Sequence, residues 1–381
     1  MVNQRQWEED FLSKMYDKLS WVTDEVKTLK PYTTIDGKYY NTPDDNYSWT
    51  CGFWGGIQWW LYKLGKDEKF FKKAQAISEN MDKGLTDFVQ LHHDVGFQYL
   101  LTTVADCEVT RSERAETSSI HAATLLAGRF NLAGRYIRAW NENKYLDAEE
   151  SKAGYAIIDC MMNIPILFWA SETTGDPRFR QIAEAHADTA LREFIREDGS
   201  SHHIVVFDPK DGRVITKPKG QGYAPGSSWT RGQGWAIYGF AMAYSYTQKP
   251  EYLKAALKVA ENFLKHMPDT GIPPVDFEQP IEPPYVDSSA GVIALCGMVD
   301  LKKWANEEEQ QWLEEGIRLL FKGAYANCDF SKDTQAVLQN GMELYHGGYQ
   351  KVLIYGDFYL LEALMKRRGN DYLFCKKGEV L

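Results

Sequence analysis

Six times along this chain a polar loop holding Gly, Pro, Asp or Asn ends in a short polar or aromatic cluster, and an almost uniformly apolar segment follows. The segments begin at Trp49, Asp94, Asp159, Trp229, Asp287 and Asp357. A helix that is apolar on every side is buried on every side. Between these segments lie six amphipathic ones with charged faces, over residues 8–29, 68–88, 112–131, 177–196, 251–267 and 307–322. Short turns such as Thr174-Gly175-Asp176-Pro177 join a buried segment to the charged one after it, with Gly closing one helix and Asp or Pro opening the next.

Buried and exposed helices therefore alternate, with a repeat near a sixth of the chain. That pattern predicts a closed ring of six helical hairpins, an inner barrel inside an outer one: an all-α fold, the (α/α)6 barrel. Strand-like period-2 runs occur only in short pieces such as residues 203–208 and 212–217, which read as a hairpin inside a long loop over residues 199–228. Loops of that length in compact domains tend to carry function. No internal linker interrupts the pattern, so residues 1–381 are expected to form a single domain.

Composition supports a large core. The 381 residues are 44% hydrophobic and include 12 Trp, 22 Tyr and 18 Phe, which excludes intrinsic disorder. A formal charge of -10 argues against nucleic acid or an anionic membrane surface as the partner. The cysteines at 51, 107, 160, 296, 328 and 375 lack paired spacing and read as reduced, mostly buried thiols. The polar, acidic first ten residues and the lack of a long apolar run make a soluble, cytoplasmic protein the expectation. Oligomeric state, monomer or homodimer, is left open.

In such a ring all inner helices start at the same end, so the six starting clusters should meet around one funnel. They bring together Trp49, His92, His93, Asp94, Asp159, Asn163, His203, Gln221, Trp229, Arg231, Gln233, Trp235, Asp287, Ser288, Tyr355 and Asp357. Aromatic rings stack on the apolar faces of a pyranose while carboxylates and amides hold its hydroxyls, so the set suits a sugar. Arg231 adds a fork suited to a carboxylate. An Asp at a helix start is by default an N-cap. Asp159 departs from that default, because Tyr155-Ala156-Ile157-Ile158 and Cys160-Met161-Met162 surround it with apolar groups that would keep a general acid protonated. Asp94, after two histidines, has a more polar setting that suits a second carboxylate. Adjacent histidines in His92-His93 and His202-His203 diverge on regular backbone, and no carboxylate recurs at ligand spacing, so no metal and no cofactor is expected. Trp59 and Trp60 read as core.

With these residues in hand, the chain resembles the unsaturated glucuronyl hydrolases of glycoside hydrolase family 88. The likeness runs nearly end to end, and its most specific stretches are residues 92–97 (HHDVGF), 157–163 (IIDCMMN), 174–177 (TGDP) and 228–235 (SWTRGQGW). The resemblance implies an (α/α)6 barrel acting on oligosaccharides that carry a 4,5-unsaturated uronic acid at the non-reducing end. It implies Asp159 as catalytic acid and base, Asp94 as the second essential carboxylate, and Trp49, His93, His203, Gln221, Trp229, Arg231 and Trp235 as the lining of the sugar pocket. The implied chemistry is hydration of a vinyl ether. Where some members carry a Ser and Lys cluster associated with sulfated substrates, residues 346–354 hold Lys351 but no Ser. Alternatives are an unsaturated rhamnogalacturonyl hydrolase, a sugar epimerase or isomerase using histidines across the funnel, and a non-catalytic carbohydrate-binding barrel.

Overall fold

A computed structural model describes residues 4–26, 30–41, 45–142, 151–370 and 372–374. Helix α1 (Gln4–Glu25) is followed by the hairpin β1 (Pro31–Ile35) and β2 (Lys38–Asn41), then by α2 (Phe53–Gly65) and α3 (Glu68–Thr86). The next inner segment is α4 (Val95–Tyr99), a π-helical turn (Leu100–Val104) and α5 (Ala105–Thr110). Then come α6 (Glu113–Ala127), the short pair β3 (Phe130–Asn131) and β4 (Tyr136–Ile137), β5 (Tyr155–Ile157), a 3-10 turn (Ile158–Met162), α7 (Pro165–Thr174) and α8 (Pro177–Phe194). Strands β6 (Ile204–Phe207) and β7 (Val214–Thr216) precede α9 (Thr230–Thr247), α10 (Pro250–Lys265), α11 (Ser288–Leu301), α12 (Glu307–Ala326) and α13 (Ile354–Arg367).

The apolar helices form the inner ring: α2 packs on the π-helical turn after α4, α4 on α7, α7 on α9, α9 on α11, α11 on α13, and α13 on α2. Each has an outer partner, and the ring closes where α1, first in the chain, packs on α13, the last helix. The reason is burial: Trp54, Trp59, Trp60 and Trp235 are fully enclosed between the layers. Each such side chain contributes roughly 1.5–3 kcal/mol or more by leaving water. The hairpin joints end as the sequence predicts, with Gly175 in the left-handed region at φ 73° closing α7 and Asp176 accepting the Arg178 N–H to open α8.

Two inner segments depart from the expectation of one continuous helix. The run from Asp94 bulges into a π turn, and the run from Asp159 makes a 3-10 turn before α7 begins with Pro165 at its first position. Proline lacks the N–H that a continuous helix would need there. The outer segment expected to run to residue 131 stops at Ala127, because Phe130 and Asn131 pair with β4. The end of the first amphipathic segment, residues 27–29, lies outside the described residues, as does Cys375. No helix among the described residues is long and apolar enough to cross a membrane.

The expected hairpin in the long loop is present, and it gains a third strand that sequence reading did not find. Strand β6 pairs antiparallel with both β7 and β5. That extra pairing positions the site.

Candidate active site

Residues from the starts of the inner helices converge on a cavity of about 350 Å³ lined by Trp49, Asp94, Trp140, Ile157, Asp159, His203, Ile204, Gly220, Gln221, Arg231, Glu343 and Tyr355. Its volume falls in the range of small-molecule sites. Asp159 is held there by sheet register. Ile157 of β5 lies opposite Ile204 of β6, and the Ile158 N–H donates to the His203 carbonyl at 3.0 Å. One residue further, Asp159 Oδ2 and His203 Nε2 face each other at 3.5 Å. The Gln221 N–H donates to His203 Nδ1 at 3.0 Å, which leaves the ring proton of the neutral imidazole on Nε2, toward Asp159. Gly220, at φ +60°, is required: a Cβ there would stand 2.0 Å from His203 Nδ1.

Asp94 is brought to Asp159 by a second close approach. A Cβ on Gly96 would lie 2.3 Å from Asn163 Cα, so only glycine lets the start of α4 rest against the turn that carries Asp159. Asn163 then joins the two: its Oδ1 accepts the Phe97 N–H at 2.8 Å, and its Nδ2 donates to Asp94 Oδ1 at 3.2 Å and to the Asp159 carbonyl at 3.3 Å. Neither acid caps its helix, so the default role of an Asp at such a position does not apply to them. Asp287 is an N-cap, accepting the Ser289 N–H, while Asp357 accepts Val337 N–H, Leu338 N–H and the Tyr39 hydroxyl.

The two carboxyls are driven apart in acidity. Burial, reinforced by the negative charge of Asp94, raises Asp159 to about 7, against the pull of the Arg231 guanidinium and the Trp235 indole. Burial would raise Asp94 too, but His93, His92 and Asn163 outweigh it and hold it at about 2. Near neutral pH one carboxyl is poised to give up a proton and the other is ionised. Burial keeps His93, lowered to about 4, and His203, lowered to about 3, neutral.

Of the residues singled out from sequence, Trp49, Asp94, Asp159, His203, Gln221, Arg231 and Tyr355 line the cavity. His93, Trp229 and Trp235, expected in the same lining, stand outside it. They are at most 2% exposed and stand one layer behind: His93 Nε2 faces Asp94 Oδ1 at 3.4 Å, Trp229 packs on His203 and Arg231, and Trp235 packs on Phe97 and Tyr359. The Arg231 fork, read from sequence as suited to a carboxylate, is engaged by protein groups. It is ion-paired with Asp287 and donates to the carbonyls of Met342 and Glu343. Trp140, Ile157, Ile204 and Glu343 were not anticipated, because nothing in their local pattern separates them from ordinary loop and strand residues.

The expectation that His92 and His93 diverge fails. The backbone before α4 is a turn, and donor atoms of His92, His93 and Asp94 all lie within 4.8 Å of one another, with Asp94 bridging the two rings. The set could geometrically receive a cation, but its carboxylate already faces both histidine rings and accepts from Asn163 Nδ2.

The chain is 36% identical to the unsaturated glucuronyl hydrolase of Bacillus sp. (strain GL1), over 90% of its own length and 92% of that protein. It is 32% identical to the unsaturated chondroitin disaccharide hydrolase of Streptococcus pyogenes serotype M1, over 94% and 92% of the two chains. Among solved structures, the Bacillus sp. GL1 unsaturated glucuronyl hydrolase superposes with a TM-score of 0.87 at 33% identity, covering 96% of this chain and 98% of that one. The family model described as Glycosyl Hydrolase Family 88 matches residues 22–308, and the chain belongs to that family.

Proposed function

We propose that the protein releases the 4,5-unsaturated uronic acid from the non-reducing end of lyase-generated oligosaccharides, with Asp159 as the acid and base, Asp94 as the second carboxylate, and residues 1–381 acting as one catalytic domain. The observation that carries this is the pairing of a partly buried carboxyl raised to about 7 with an ionised one, both opening on the same cavity.

Asp159 donates its proton to carbon 4 of the double bond, and positive charge grows at carbon 5 and the ring oxygen. The Asp94 carboxylate stabilises that charge from inside a site where water does not screen it. Water adds at carbon 5 and returns a proton to the ionised Asp159, whose charge the facing His203 Nε2–H steadies in the interval. The resulting hemiketal opens and the glycosidic bond breaks. Trp49 and Trp140 offer apolar platforms for sugar rings, and Gln221 and Arg231 supply polar edges.

Relatives described as unsaturated glucuronyl and unsaturated chondroitin disaccharide hydrolases favour a glycosaminoglycan-type substrate over a rhamnogalacturonan one. Mixing the protein with unsaturated disaccharides from both classes should abolish the ultraviolet absorbance of the conjugated uronate, faster for the glycosaminoglycan products. Unchanged absorbance across the panel would remove this reading.

A further inference from the structure

Asp287 does more than an N-cap requires. It is fully buried at the head of α11, and capping asks only that one oxygen accept the Ser289 N–H, at 3.1 Å. The same Oδ1 also accepts the Ser289 hydroxyl at 2.5 Å and the Met342 N–H at 3.3 Å. Its Oδ2 pairs with Arg231. Arg231 in turn donates to the Met342 carbonyl at 2.5 Å and to the Glu343 carbonyl. Met342 is thus held through its N–H by Asp287 and through its C=O by Arg231. Glu343, which walls the cavity, hangs from this pair and from Gln221 Nε2, which donates to its carbonyl at 2.9 Å.

We propose that Asp287 is a positioning residue for the reaction: it fixes the Arg231 guanidinium and the Met342–Glu343 wall as one unit, and it cancels the guanidinium charge that the Asp159 carboxyl would otherwise face. The inference rests on the assignment of Asp159 as the acid.

The groups around Asp159 make the charge argument specific. Asp94 faces it from the turn before α4, Cys160 from its own turn, His203 from just before β6, Arg231 from α9 and Tyr359 from α13, with His93 behind Asp94 and Tyr355 beside Arg231. The histidines are neutral near pH 7, and burial keeps Cys160, Tyr355 and Tyr359 protonated. The charges left are Asp94, the Arg231–Asp287 pair, and Glu343, which Lys351 balances. Neutralising Asp287 adds one net positive charge to that set, and a positive charge stabilises the Asp159 carboxylate.

Asp287→Asn retains an oxygen for the cap but turns an amide N–H₂ toward Arg231. The test is the pH profile of kcat/KM on an unsaturated disaccharide, together with KM. In Asp287→Asn, folded by circular dichroism, the limb on which activity falls with rising pH should move about one unit toward acid, and KM should rise roughly fivefold or more. A folded variant with the wild-type midpoint overturns the proposal. Asp287→Glu keeps the charge and lengthens the arm, so its midpoint should stay while KM rises. A shifted midpoint or a wild-type KM there also overturns it, and this variant decides alone if Asp287→Asn does not fold. Ser289→Ala loosens the same cap without changing charge and should leave the midpoint in place; a shift matching Asp287→Asn would mean that any loosening suffices, and would also overturn it. Wild-type turnover is measured first. Its absence would sink the assignment of the acid, a separate result from any variant's behaviour.

Discussion

Two carboxyls in this barrel, the partly buried Asp159 at the mouth and the buried Glu362 on α13, are both raised to about 7 with burial as the leading cause. Their surroundings differ. Glu362 is 1% exposed, accepts the Tyr238 hydroxyl at 2.9 Å, and borders a space of only about 20 Å³. The Asp159 side chain is 16% exposed and opens on about 350 Å³. A shifted carboxyl is therefore not in itself an acid catalyst. It becomes one where the group also reaches space that a substrate can fill.

The strongest challenge to this contrast is Asp159→Asn, a near-isosteric change that cannot deliver a proton. It should retain the fold and lower kcat by about 10³-fold or more, measured as loss of uronate absorbance. Asp94→Asn should cost roughly 10²-fold and also move the basic limb toward acid, since the Asp94 charge helps hold the proton on Asp159. For the wild type, kcat/KM should fall about tenfold per pH unit above about 7, as Asp159 loses the proton it must donate. Glu362→Gln sharpens the comparison: it should change kcat by less than about twofold and leave that limb where it is. A displaced limb would transfer the titration from Asp159 to Glu362.

The smallest effect is on stability. Asp159 binds a proton in the fold that it has already released in the unfolded chain, so its contribution is fully present below about pH 4 and is lost as pH rises through about 7. Asp159→Asn lacks this liability. Its melting temperature should exceed that of the wild type by roughly 3 °C at pH 8 and match it near pH 4, read from thermal unfolding at the two pH values.

The ring was legible because its signal is local and repeated. An inner helix must be apolar all round and an outer one on a single stripe, and Gly175 with Asp176 marks a hairpin joint without reference to anything distant. The setting of Asp159 was legible for the same reason, since its apolar neighbours are adjacent in the chain. The breaks at Leu100–Val104 and Ile158–Met162 were not, because they answer to packing across the ring: Gly96 against Asn163, and β5 on β6.

What the amino-acid order alone determined is the alternation of buried and exposed helices, the end of the barrel at which they start, and the apolar surroundings of Asp159. Tertiary structure alone decided which of the gathered residues faces open space. His93, Trp229 and Trp235 were drawn behind the wall, Trp140 and Glu343 were brought to its surface, and Arg231 was tied to Asp287. Periodicity reports that a side chain is buried, but whether its last neighbour is protein or cavity depends on segments tens to hundreds of residues away, such as Asp287 and Met342 around Arg231.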